Sequence, residues 1–172
     1  MPTIGVAVAI PEPWATQLQD YRTSVGDEMA AMIPTHITLV PPTDVDEADI
    51  DAIVEHLDSV AARVGAFGVH LRGTGTFRPV SPVVFVSLAE GISNFEQLAD
   101  GVRRGPLERE LPFPYHPHVT IAHHLEDSQL DRAFAELADF EAKFDVEDFH
   151  LYEHDAALGW QPTRYFALQP GT

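Results

Sequence analysis

The chain has 172 residues, 45 % of them hydrophobic, and contains no cysteine. That is enough for one domain with a buried core, and it excludes disulfides, thiolate metal sites and a cysteine nucleophile together. Ten basic against 27 acidic residues give a formal net charge of −17, which argues against duplex DNA and anionic membranes as partners but leaves a small anionic substrate open, since a pocket needs only a few local donors.

Ile4–Ile10 is a short apolar run ending at Pro11, a buried-strand pattern. It carries no basic leader or small-residue cleavage site, and no stretch is long enough to span a bilayer, so a cytoplasmic protein is expected. Pro13 suits a first helical turn, with Trp14, Leu18 and Tyr21 following at helical spacing. Pro34 introduces a strand over His36–Val40 that Pro41-Pro42 should stop. From Asp44 to Val64 an apolar stripe through Ile50, Ile53, Val54, Leu57, Val60 and Val64 predicts a helix with acidic residues crowding its start. Phe67, Val69 and Leu71 alternate with polar residues until Gly73 and Gly75 interrupt the strand.

The order then recurs: a strand at Val83–Leu88, a helix over Ile92–Leu107, a Pro- and aromatic-rich loop, a strand from His118, and a helix over Ser128–Phe140 with Ser128 as candidate cap. Strands at Phe144–Tyr152 and Arg164–Leu168 finish the chain. Strand, helix, strand, helix, strand appears twice. The expected fold is therefore α+β and bilobal: one domain over 1–172 with pseudo-symmetric lobes near 1–78 and 79–172, two antiparallel-rich sheets around a central cleft, and helices outside.

The third member of each set carries the same phrase, His36-Ile-Thr-Leu39 and His118-Val-Thr-Ile121. Side chains alternate along a strand, so each His and Thr share one face while the apolar residues enter the core. Two such strands side by side offer two imidazoles, titrating near neutral pH, and two hydroxyls. That set suits acid–base chemistry at a phosphate, with the histidines moving protons and the threonines holding non-bridging oxygens. His118 is taken as the base and His36 as the acid, with pseudo-symmetry leaving the reverse open.

The duplicated His-x-Thr phrase resembles the two-histidine phosphoesterase superfamily, in particular its 2′-5′ RNA ligase-like branch. Gly75-Thr-Phe77 and the Pro117-His118-Val-Thr-Ile-Ala122 run are similar to that branch's central segment and second motif. The resemblance implies a two-lobed fold with the motif strands facing across a cleft. It also implies hydrolysis of 2′,3′-cyclic or 2′-5′-linked phosphodiesters without metal or other cofactor, with His36, Thr38, His118 and Thr120 as catalytic residues. The alternatives are a nucleotide- or RNA-end-binding module without catalysis, and RNA ligation, which the acidity disfavours. The expected partner is a small phosphodiester or an RNA end, met by a monomer.

Other residues are weaker candidates for substrate binding. Arg78 suits a phosphate clamp and Phe77 a base platform; Phe113 and Tyr115 are alternative platforms, and His116 a rim residue. Tyr152, Trp160 and Arg164 suit a cleft wall, although Trp160 reads more as a core plug. His70 stands between a groove and a structural role. His116, His118 and His124 share a face but lie too far apart along one strand to hold a single ion.

Overall fold

The computed structural model describes residues 1–171. Its strands are β1 (Thr3–Ala9), β2 (His36–Asp44), β3 (Phe67–Thr76), β4 (Val83–Glu90), β5 (Val119–His123), β6 (Glu141–Val146), β7 (Asp148–Asp155) and β8 (Gly159–Ala167). The helices are α1 (Trp14–Ser24), α2 (Ile50–Ala61), α3 (Ile92–Val102) and α4 (Asp127–Glu136). The strands form one antiparallel sheet in the order β6-β3-β4-β5-β2-β1-β7-β8. Two four-stranded halves meet at its centre, where the two motif strands pair through Ile37 and Val119.

Period-two alternation explains both faces. In β1 the larger residues Ile4, Val6 and Val8 are buried, while Gly5, Ala7 and Ala9 give the opposite face a thin surface. In the motif strands Ile37, Leu39, Val119 and Ile121 are fully buried. The helices cover this apolar face, with Ile53, Leu57 and Val60 of α2 and Phe95, Leu98 and Val102 of α3 in one continuous core. Phe67 and Phe95 meet edge to face at 5.2 Å. Burial of each such side chain contributes about 1.5–3 kcal/mol. α1 packs against β5 and α3 against β2, each on the motif strand of the other repeat.

The halves of the sheet are not consecutive halves of the chain, as the division near residue 78 supposes. β3 pairs with β4 and β6, and the C-terminal hairpin β7–β8 completes the first half against β1. Strands joined by a short connection pair as neighbours, and residues 77–82 tie β3 to β4 more directly than to β1 or β2.

Element boundaries shift for local reasons. β2 runs through Pro41-Pro42 because the register with β1 slips between Ile4 and Val6, absorbing the prolines where no β5 partner remains. α2 begins only at Ile50, after a 3₁₀ turn over Glu47–Asp49, and Asp44 ends a strand. α4 is capped by Glu126, not Ser128, in a reciprocal capping box with Gln129. The strand expected over Phe144–Tyr152 is two strands, β6 and β7, broken at Glu147.

Candidate active site

The pairing of Ile37 with Val119 fixes the centre of the molecule. In an antiparallel ladder it places Thr38 opposite His118 and His36 opposite Thr120, all four on the face away from the helices. The four side chains are partly exposed, between buried neighbours. The register thus sets each threonine across from the other strand's histidine.

Each imidazole is oriented in the same way. Nδ1 of His36 donates to the Pro34 carbonyl at 2.6 Å, and Nδ1 of His118 donates to the His116 carbonyl at 2.6 Å. A carbonyl can only accept, so both neutral rings carry their proton on Nδ1 and leave Nε2 as the basic atom. The Thr38 hydroxyl donates to Nε2 of His36 at 3.1 Å. Burial lowers the pKa of His36, an effect opposed by the Pro34 carbonyl and reinforced by the Arg22 guanidinium. Burial likewise pushes His118 down to about 4, with the His116 carbonyl opposing and the neighbouring His116 and His36 rings adding to the shift. Both rings are therefore neutral at pH 7.

The surroundings of the two histidines differ. On the His118 side, Phe85 pairs with Thr120 and its ring lies 5.3 Å from that of His118. Gly75 is paired with Phe85, and a methyl group there would stand 2.6 Å from the ring, so the glycine makes room for it. Phe77 packs edge-on against His118 at 4.9 Å and against His116 at 5.3 Å. On the His36 side, Ala7 pairs with Thr38 and a cavity of about 180 Å³ opens, bounded by Gly5, Ile33, Pro34, Tyr152 and Trp160 among others.

Several expected residues are placed by these contacts. Phe77 and His116 flank His118, and His116 is exposed at the rim. Tyr115 donates its hydroxyl to the Thr38 carbonyl at 2.6 Å, so it steadies the first motif instead of offering a platform; burial raises its pKa and keeps that proton in place. Phe113 is 66 % exposed in the loop before the second motif. Arg78 is committed elsewhere: it donates to Asp131 at 2.9 Å and to the Thr76 hydroxyl at 3.2 Å, with Asp127 at 3.7 Å, which neutralises the guanidinium against α4. His70 is buried and bonded to Glu141 at 2.6 Å, outside the cleft. His56 bonds the Val102 carbonyl at 3.0 Å and joins α2 to the end of α3.

Trp160 is a cavity wall, not a core plug. Phe85 was hidden from sequence reasoning because an aromatic in the run Val83–Leu88 reads as core; the signal was Gly75, a glycine in the strand that pairs with it. Among the described residues no group of three His, Asp or Glu side chains is placed to hold a metal ion, and no helix is long and apolar enough to cross a membrane.

A model of the 2′-5′ RNA ligase superfamily matches residues 10–158. A Bacillus cytotoxicus protein named "Putative phosphoesterase" is 28 % identical over 148 residues, covering 85 % of this chain and 86 % of that protein. Among solved structures, Escherichia coli LigT in its apo form superimposes with a TM-score of 0.71 at 21 % identity, covering 98 % of this chain and 99 % of LigT. TT0787 of Thermus thermophilus gives 0.70 at 23 %, covering 99 % of each chain. LigT has also been crystallised with 3′-AMP, with phosphate, with ATP and with NADP+. The family model spans most of the chain, including both His-x-Thr strands, and the chain belongs to the 2′-5′ RNA ligase superfamily.

Proposed function

We propose that this protein is a metal-independent phosphodiesterase that opens 2′,3′-cyclic or 2′-5′-linked ribose phosphodiesters, with His118 as general base and His36 as general acid. The observation that carries this reading is the register across β2 and β5, which sets two Nε2 atoms and two hydroxyls around one space, with both rings held in the same tautomer by backbone carbonyls. The complexes of LigT with 3′-AMP and with phosphate support a small nucleotide-like substrate.

Nε2 of His118 takes a proton from water as the water oxygen bonds to phosphorus; the bond from phosphorus to the ribose oxygen breaks, and His36 gives its Nε2 proton to that oxygen. The negative charge of the bound phosphodiester offsets the burial that otherwise keeps His36 neutral. Once Nε2 of His36 is protonated, the Thr38 hydroxyl no longer donates to it and turns its hydrogen to a non-bridging oxygen, which Thr120 matches from the other strand. Solvent exchange returns both rings to their starting states.

The test is turnover of 2′,3′-cyclic nucleotides and 2′-5′ dinucleotides in EDTA by the intact protein and by His36→Ala and His118→Ala. Loss of turnover in both folded variants is expected; full activity in both would overturn the assignment. Tight binding of 3′-AMP with no turnover of any of these compounds would make the protein a nucleotide-binding module.

A further inference from the structure

The face that carries the motifs is asymmetric one strand away from them. In one half Thr120 pairs with Phe85, and Phe85 with Gly75. In the other, Thr38 pairs with Ala7, and Ala7 with His150. A phenyl ring fills the first position and a methyl group leaves the second open, which is why the cavity lies beside His36. Its volume of about 180 Å³ is below the roughly 300–1,000 Å³ of sites that take a whole drug-sized ligand, so it suits one ring.

The walls are suited to a flat, uncharged ring. Trp160 and Tyr152 line the cavity, and no Asp, Glu, Lys or Arg does, although the chain carries 27 acidic residues. The Trp160 ring sits 3.5 Å from where a side chain on Gly5 would begin. Its position is fixed by Gly159, which has φ +79° and presses so closely on Met32 that a methyl group would collide with the Met32 backbone.

We propose that this cavity is the subsite for the heteroaromatic base of a nucleotide substrate, stacked against Trp160 and Tyr152. The inference rests on the phosphodiesterase reading and deepens it. A base held on this side carries its ribose toward His36, so the ribose oxygen is the group His36 protonates and water enters from the His118 side.

The test compares kcat/KM for 2′,3′-cyclic AMP with that for methyl riboside 2′,3′-cyclic phosphate, which has no base. The intact protein should prefer the nucleotide by roughly 5- to 100-fold, the range of one stacked base. Trp160→Ala should bring the ratio close to one, Trp160→Phe should retain most of it, and Ala7→Phe, which places the other half's ring in the cavity, should abolish it. A ratio unchanged by Trp160→Ala and Ala7→Phe, in variants whose melting shows them folded, would overturn the subsite while leaving the phosphodiesterase standing. If neither substrate is turned over, the phosphodiesterase reading fails on its own, and quenching of Trp160 fluorescence by 3′-AMP in a Trp14→Phe background still decides the subsite: saturable quenching supports it, and none at millimolar 3′-AMP overturns it.

Discussion

The two halves of the sheet hold their motifs alike and their surroundings differently. His36 and His118 each donate Nδ1 to the carbonyl two residues back, at the same 2.6 Å. One strand away the likeness ends: Phe85 and Phe77 close around His118, while Ala7 and Gly5 leave open space beside His36. The reaction proposed above needs two similar groups on opposite sides of phosphorus, which matched motifs would supply. Orientation of a substrate needs the sides to differ.

The comparison breaks most sharply at the histidines. His36→Ala and His118→Ala should each lower kcat by about 10²- to 10⁴-fold in EDTA, as read by cyclic phosphate turnover; a large loss in one and none in the other would show that the halves do not share the work. Thr38→Val and Thr120→Val should each cost roughly a hundredfold in kcat, with Thr38→Val also disturbing the pH profile because its hydroxyl bonds His36.

Glycine to alanine sharpens the contrast in stability. At Gly75 the new methyl group meets the Phe85 ring at 2.6 Å, whereas at Gly5 it meets Trp160 at an ordinary 3.5 Å. Gly75→Ala should lower Tm by about 3–10 °C, and Gly5→Ala by no more than about 2 °C. Acid tests the burial of the second motif. His118 titrates near 4 in the folded chain against an ordinary 6.5, so the unfolded chain binds the proton more readily. Its contribution to stability is complete above pH 6.5 and is lost as pH falls toward 4. Urea unfolding across that window should show the loss, and His118→Gln should flatten it. The smallest effect is expected at Arg78: Arg78→Ala should change KM within about twofold, since the guanidinium is already paired with Asp131.

The motif residues and the order of elements were legible because period-two alternation and helical stripes are local patterns. The capping box at Glu126 was missed because Ser128 is the stronger capping residue by type, while Gln129 answers Glu126. The exchange of β3 and of β7–β8 between halves is a property of which strand edges remain open, and no local pattern records it. The cavity floor was half legible. Gly5-Val-Ala-Val-Ala9 reads as an apolar run, but its small residues all fall on one face, which marks a surface kept thin. The partners of Arg78 are not legible, because the carboxylates that pair with it lie on a helix far along the sequence.

The packing of α1 on β5 and of α3 on β2 has a mechanical consequence. The ladder between the motif strands is a single residue pair, too narrow a seam to set the distance between two imidazoles. Each helix belongs to one repeat and packs, behind the cleft, on the motif strand of the other, so the pair ties the two repeats together. The spacing of the histidines is thus supported from the far side of the sheet, by helices whose inward residues, Leu18 of α1 and Phe95 of α3, are fully buried.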